Sequence, residues 1–473
     1  MSFVSPIFIF VFFPLAILGA YIIPGKARNI FILFVSAIFY IWGDFKGIIS
    51  VLSIWVLDYL ICKLISSDNA KPVLKKMFLL FGMLTNVSML FAYKLFGFSK
   101  PLGISFIAFS TISFMLDVYR GKVESVRFFN LGFYILMFPK LIMGPIVRYN
   151  QIEEQLNNPS RHLDFSNLAP GLIRFIFGMS KKLILADFLA HVANRYFLLV
   201  ELDRQVSVIG VWMGAIAYSL QLYFDFSGYS DMAIGLGGML GFKFNENFNY
   251  PYCAKSVTDF WRRWHISLSS WFLEYVYIPL GGSRKGPARQ IVNLFVVWIL
   301  TGLWHGIKWT FVLWGMFYFV LLVIEKLINI DELIKDRTAD RVGNAENKVM
   351  PKKRMFCIFY RILTLILVNL GWVIFRAPNL FVAVNYIKKM FGVGVNAMVD
   401  SQAVFILNNN IFYIACGIIC SVPVLSFIKR KIKSNIGQNI FETVRMCAVL
   451  LLLFICISSV LTTVYNPFLY LDF

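Results

Sequence analysis

Four histidines occur among the 473 residues, and two of them lie inside aromatic, apolar sequence. His305 sits in Leu300-Thr-Gly-Leu-Trp-His-Gly-Ile-Lys-Trp309, between Trp304 and Gly306. A neutral imidazole in dry surroundings can take a proton from a reacting hydroxyl. An ionisable ring within an apolar run is a functional hypothesis by default. Position alone leaves a second reading equally open, a hydrogen bond to a neighbouring helix carbonyl that locks packing. His265 lies in Thr258-Asp-Phe-Trp-Arg-Arg-Trp-His-Ile-Ser-Leu-Ser-Ser-Trp271. On one helix capped by Thr258 or Asp259, Trp261, Trp264, His265, Leu268 and Trp271 would share a face. Arg262 and Arg263 would point elsewhere, as guanidiniums suited to phosphates or carboxylates. The residues by themselves favour the plainer reading, an interfacial aromatic belt with snorkelling arginines.

Other polar residues carry weaker signals. His162 lies in a polar loop, where it is most simply solvated, and His191 follows an apolar run and reads as structural. Asp225 and Asp231, in Tyr223-Phe-Asp-Phe-Ser-Gly-Tyr-Ser-Asp231, could orient a histidine or, more commonly, cap a broken helix. Asp58 falls near the end of an apolar run and could reach an interface. Gly235-Leu-Gly-Gly-Met-Leu-Gly241 imitates a dinucleotide fingerprint, but its spacing is wrong and small-residue helix packing explains it better. The seven cysteines form no metal-binding spacing, and Cys416 and Cys420, one helical turn apart, read as small core residues. No Walker loop, nucleophile elbow or His-Glu-x-x-His appears.

The elements that must position these residues are membrane helices. Residues of the AVILMFWYC set make up 59% of the chain and charged residues only 15%, with 49 phenylalanines. A soluble protein carries about 25% charged residues, and a disordered chain still fewer apolar ones. The formal charge of +20 needs no nucleic acid, because cytoplasmic loops of membrane proteins favour Lys and Arg. Charge-poor runs near 1–25, 29–43, 47–65, 77–96, 102–117, 128–147, 170–190, 205–224, 290–307, 309–324, 355–375, 411–428 and 446–466 mark candidate spans. The stronger runs give about eleven full spans. The first reads as a span rather than a cleaved signal peptide. Segment 225–285 reads as short, tilted or re-entrant helices. Basic clusters at Lys26/Arg28, Lys71/Lys75/Lys76, Arg120/Lys122/Arg127 and Lys352/Lys353/Arg354 place those loops in the cytoplasm and the N-terminus outside. The fold class is therefore all-α and polytopic, one membrane-embedded domain. Its parts are N-terminal spans over 1–100, a core with the motif histidines over 101–326, a polar loop over 327–355 and C-terminal spans over 356–473.

These residues resemble the membrane-bound O-acyltransferases, and within them the bacterial alginate O-acetyltransferase branch. Trp261-Arg-Arg-Trp-His265 and Thr301-Gly-Leu-Trp-His305 carry the likeness. Pro101-Leu-Gly-Ile-Ser-Phe, Asp117-Val-Tyr-Arg-Gly121, Phe138-Pro-Lys, Gly144-Pro-Ile-Val-Arg148, Tyr223–Asp231, Asn249-Tyr-Pro-Tyr252, Trp372-Val-Ile-Phe-Arg376 and Asn466-Pro-Phe-Leu-Tyr470 extend it. The resemblance implies helices around a central tunnel in a bacterial cytoplasmic membrane. It implies acetyl transfer from a cytoplasmic thioester, acetyl-CoA as co-substrate, towards an exported or cell-wall polysaccharide, with an extracytoplasmic partner acetyltransferase in many relatives. It places His305 as catalytic base and His265 as a second site histidine that binds substrate, relays the proton or donates to an oxyanion. Trp261, Trp264, Trp304, Tyr223 and Asp225 become tunnel candidates, and Arg262, Arg263, Arg284 and Lys285 candidates for the donor's phosphates. No metal or permanently bound cofactor is expected. The related D-alanyl branch draws on a carrier-protein thioester. A transporter or a non-catalytic scaffold for polysaccharide export is the competing class; the few intramembrane carboxylates and missing inverted repeats speak against transport.

Overall fold

A backbone in hydrocarbon must satisfy its own hydrogen bonds, and long apolar runs do so as helices. The computed structural model describes residues 2–95, 101–158, 165–334, 351–462 and 467–469. His162, Asn466, Tyr470 and most of the polar 327–355 loop lie outside the described residues. The chain is 79% helical, without strands among the described residues. Nine helices there are long and apolar enough to cross a membrane: Gly25–Gly43, Gly47–Ser66, Pro72–Leu95, Ser166–Glu201, Pro287–His305, Trp309–Leu327, Met355–Arg376, Ser401–Cys420 and Asn435–Thr462. Phe8–Ile22 and Ile104–Tyr119 are shorter apolar helices. Large apolar side chains such as Phe405, Phe412, Leu450 and Phe454 point outward and are largely exposed, which lipid rather than water accommodates. Cys420, on one of these outward-facing helices, is exposed and Cys416 is half-buried, so neither is a core residue.

Two expected spans take another form. The run 128–147 is broken into Phe128–Leu136 and the short Phe138–Leu141, with Pro139 at the second helix's start. The run 205–224 does not end where the glycines begin. It continues as one 32-residue helix, Val208–Met239, through the segment expected to be re-entrant.

Two compact units make up the chain: Met1–Leu183 with Asp225–Glu246 and Glu442–Phe473, and Ile184–Phe224 with Asn247–Phe441. In the first, the glycines of the long helix explain its continuity. A Cβ on Gly228 would meet the carbonyl oxygen of Gly178 at 2.7 Å, and one on Gly235 that of Gly171 at 2.5 Å. Two backbones cross in contact there, and the missing side chains serve the crossing rather than a break. The same crossing is tied by charge. Lys182 and Asp225, both almost fully buried, pair at 2.8 Å, and Asp225 also accepts from the N–H of Leu469 at 2.9 Å. Lys181 and Arg174 both reach Asp231, at 2.6 and 2.9 Å. Neither aspartate caps a broken helix or orients a histidine, as the sequence had suggested, because the helix carrying them is unbroken. Asp58 is likewise buried rather than interfacial: Asn86 Nδ2 donates to its two oxygens at 3.0 and 3.2 Å, and Thr111 donates to Asn86 Oδ1 at 2.9 Å. These bonds link three N-terminal helices by groups that lipid could not solvate.

Overpacking a backbone crossing costs about 1–3 kcal/mol. Gly228→Ala is therefore expected to lower the thermal midpoint of the detergent-solubilised protein by several degrees. Gly238→Ala, on the same helix with nothing within 4 Å of the added carbon, leaves it unchanged. Equal midpoints for the two variants would remove the crossing as a stability determinant.

Candidate active site

The second unit holds both motif histidines. Ser256 caps the helix Val257–Arg263, its Oγ accepting from Asp259 N at 3.0 Å, so the cap is neither Thr258 nor Asp259. The helix then stops. Trp264 is extended, and His265 takes a left-handed backbone with φ +45° and ψ +55° before the helix Ile266–Phe272 begins. Trp261, Trp264, His265, Leu268 and Trp271 therefore do not share one continuous helical face. Asn247 causes the break. Its carbonyl accepts from Ile266 N at 2.9 Å, and Asn249 N donates to Arg263 O at 2.9 Å, so the 247–249 strap takes backbone groups that a continuous helix would use itself. A left-handed conformation costs a non-glycine residue about 1–3 kcal/mol and persists only where its surroundings over-determine it.

The Asn247 side chain also settles the protonation of His265. Asn247 Oδ1 accepts from Ser267 N at 3.2 Å and from Ser267 Oγ at 2.8 Å, and lies 3.0 Å from His265 Nδ1. An oxygen so placed can only accept, so Nδ1 carries the hydrogen and the lone pair sits on Nε2. His265 lies outside the nine candidate spans, and its burial lowers the imidazole to about 3, keeping the ring neutral.

A buried carboxylate fixes the other end of the same short helix. Glu325, 3% exposed, accepts four hydrogen bonds. Val257 N donates to Oε1 at 2.7 Å, Tyr360 OH to Oε1 at 3.0 Å, Thr258 N to Oε2 at 2.8 Å and Thr258 Oγ1 to Oε2 at 2.7 Å. A negative charge at a helix N-terminus is favourable, and these donors replace the water it gave up. The bonds tie the first turn of the Trp261 helix to the end of Trp309–Leu327 and to the Met355–Arg376 span.

His305 ends the helix Pro287–His305, and the next helix starts at Trp309. The two approach at backbone distance: a Cβ on Gly302 would meet Phe311 O at 2.7 Å, and one on Gly315 would meet Trp298 O at 2.5 Å. The His305 ring is 5% exposed, edge-on to Trp314 at 5.2 Å and to Phe375 at 4.9 Å between ring centroids. Trp304 lies 4.4 Å from His305 and 6.4 Å from His265, so one indole touches both imidazoles. Trp261 packs against Trp298, Trp314 and Tyr318 at 4.8, 5.6 and 4.8 Å, and Trp264 against Trp372 at 4.8 Å. The Nε1 atoms of Trp261 and Trp314 are buried without a hydrogen-bond acceptor among the described residues.

His265, His305, Trp261, Trp264 and Trp304 are thus brought together. Tyr223 joins them at the edge, 6.3 Å from Trp264. Asp225 is not part of this set; it belongs to the first unit, with Lys182. Of the four expected phosphate ligands two are engaged in ion pairs: Arg262 pairs with Asp331 at 3.0 Å, and Arg263 with Asp259 at 2.9 Å. Arg284 and Lys285 are exposed. Asn247, Trp314, Glu325, Trp372 and Phe375 were not singled out for the site by sequence, although Trp372 and Phe375 belong to one quoted motif. A polar residue flanking an aromatic run was the only signal for Asn247. His191 is exposed and edge-on to Phe188 at 6.4 Å, which fits a structural place.

Residues 32–367 match the model of the membrane-bound O-acyltransferase family. The chain is 38% identical over 419 residues to a probable alginate O-acetylase of Azotobacter vinelandii, covering 83% of this chain and 79% of that protein. It is 33% identical over 441 residues to a peptidoglycan O-acetyltransferase of Helicobacter pylori, covering 83% and 80%. It is 27% identical over 284 residues to a teichoic acid D-alanyltransferase of Bacillus subtilis, covering 58% and 68%.

Removing a buried acceptor leaves its donors unpaired, at about 1–3 kcal/mol each for the worst placed. Glu325→Ala is expected to destabilise by about 3 kcal/mol or more, Thr258→Val, which deletes one donor, by about 1 kcal/mol. Thermal midpoints in detergent check the order; equal losses would mean that Glu325 is not the anchor of this helix.

Proposed function

The chain belongs to the membrane-bound O-acyltransferase family, and on that footing we propose that it moves an acetyl group from a cytoplasmic thioester, acetyl-CoA, towards hydroxyls of an exported or cell-wall polysaccharide. The observation that carries this reading is the pair of imidazoles, His305 and His265, bridged by Trp304 within a dry aromatic enclosure. The similarity to proteins named alginate O-acetylase and peptidoglycan O-acetyltransferase over four-fifths of the chain supports acetyl as the group and a glycan as the acceptor class.

The chemistry needs one base and one oxyanion donor. The acceptor hydroxyl attacks the thioester carbonyl carbon while neutral His305 takes its proton. The tetrahedral intermediate collapses, the C–S bond breaks, and the leaving thiolate takes the proton from the imidazolium, which restores the base. His265, with its hydrogen on Nδ1 committed to Asn247, offers a lone pair at Nε2. That makes it an acceptor able to orient the attacking hydroxyl or relay its proton, and unsuited to donate to an oxyanion. The oxyanion donor must come from elsewhere, and the indole N–H of Trp314, on a ring 5.2 Å from His305 and buried without an acceptor among the described residues, is a group of the right kind. Aromatic walls exclude water, which strengthens each of these interactions and prevents thioester hydrolysis.

Reconstituted protein, labelled acetyl-CoA and glycan fragments test this. His305→Ala is expected to lose about 10²–10⁴-fold in transfer rate with unchanged folding. Trp314→Phe keeps an aromatic ring at this position and loses the N–H, and should lower kcat by about tenfold or more with the donor KM little changed. Arg262→Gln, whose guanidinium serves Asp331, retains the donor KM. Full transfer by His305→Ala would overturn the assignment of the base, and transfer only from a carrier-protein thioester would replace acetyl by another acyl group.

A further inference from the structure

Three helices of the second unit end together around His305. Pro287–His305 finishes on the histidine, Trp309–Leu327 begins just after it, and Met355–Arg376 closes with Phe375 and Arg376. Two of these helices also meet at their opposite ends, where Glu325 accepts from Tyr360 OH at 3.0 Å. Lys326 stands at that opposite end, as do Arg284, Lys285 and Arg289 at the start of the histidine's own helix. A basic end belongs to the cytoplasm. His305, Phe311 and Phe375 therefore lie away from the side by which a cytoplasmic thioester arrives.

The rings at this end touch one another as well as the histidine. Phe375 lies edge-on to His305 at 4.9 Å between centroids, and Phe311 and Trp314 each lie 5.1 Å from Phe375. Trp314 is itself edge-on to His305 at 5.2 Å, and Phe311 is 6.2 Å from it. Aromatic pairs in contact have such separations. Gly306 lets Phe311 come this near: a Cβ there would meet two carbons of the Phe311 ring at 2.8 Å. All three rings are buried. They form a continuous wall beyond the imidazole, and a wall packed at interior density resists an inserted methylene.

We infer that Phe311 and Phe375, with Trp314 completing the wall, set the length of the transferred acyl group and restrict it to acetyl. The inference rests on the proposed acyl transfer at His305. The carbonyl carbon must come within about 3–3.5 Å of the hydroxyl that His305 activates. The thioester sulphur faces the cytoplasmic end, so the acyl chain leaves the carbonyl in the opposite direction, against Phe311 and Phe375. A methyl is the shortest chain that can meet this wall. Each further methylene has to displace a ring.

The test uses the full chain in lipid vesicles with glycan fragments and labelled acetyl-, propionyl-, butyryl- and hexanoyl-CoA. It reads the ratio of kcat/KM between two donors, which does not depend on how much of a variant is folded. One methylene in a tight apolar pocket changes kcat/KM by about 10–200-fold. The wild type should therefore use butyryl-CoA about a hundredfold less well than acetyl-CoA, or worse. Phe375→Leu and Phe311→Leu should each raise the butyryl-to-acetyl ratio about tenfold or more. Phe319→Leu, further along the same helix on a ring that packs against Phe295 at 5.5 Å, should leave it unchanged. The wild-type profile decides even where a variant fails to fold: butyryl transfer as efficient as acetyl transfer overturns the inference. So does an unchanged ratio in both leucine variants at the wall, or a change confined to the glycan KM, which would put the pair on the acceptor's path. Absence of transfer from every thioester overturns the proposed function instead, and this inference falls with it.

Discussion

A carboxylate stripped of water imposes conditions on everything around it, and Glu325 imposes them on the histidine-bearing unit. It accepts four hydrogen bonds, which together replace the water it gave up. Two of their donors are the first N–H groups of a seven-residue helix. Where that helix starts is thereby decided by a residue 67 positions along the chain, and where it ends is decided by Asn247. His265 stands at the end so determined. Its strained backbone needs no glycine because both flanks are fixed from outside.

His305 is held by different means. Backbone contact at Gly302 and Gly315 sets its helix, together with the rings of Trp314 and Phe375. A packed aromatic enclosure resists small shifts, because its density leaves no space to move into. One histidine is thus set by polar bonds to a strap and the other by steric contact. Trp304, between them, is what turns two separately fixed rings into one site.

Much of this was legible beforehand, and the parts that were not share a cause. Apolar runs announced the helices, and an imidazole inside one announced His305. The break at His265 had no local signature, since no glycine or proline stands there and the Trp spacing reads as one helix. Its cause is Asn247, a side chain 18 residues earlier. Glu325 beside Lys326 reads as the charged end of a span, and only the fold shows that its carboxylate turns inward. The glycines of 226–242 misled in the opposite direction. They suggested an interruption, whereas their absent side chains let a second helix cross in contact and the long helix run on. Arg262 and Arg263 looked available for phosphates because sequence does not display Asp331 and Asp259 as their partners.

The helix that makes this crossing contains a π-helical stretch, Lys181–Ala186, which starts three residues after Gly178. A π turn is an α-helix with one residue too many, carried without a break. Lys181 and Lys182, neighbours at its start, reach two carboxylates six positions apart, Asp231 and Asp225. The wider turn thus keeps both lysines on the crossing while the rest of the helix is rotated by about 100° relative to an uninterrupted α-helix. Deleting one residue here would restore a regular helix and turn every side chain from 187 to 201 to a new bearing.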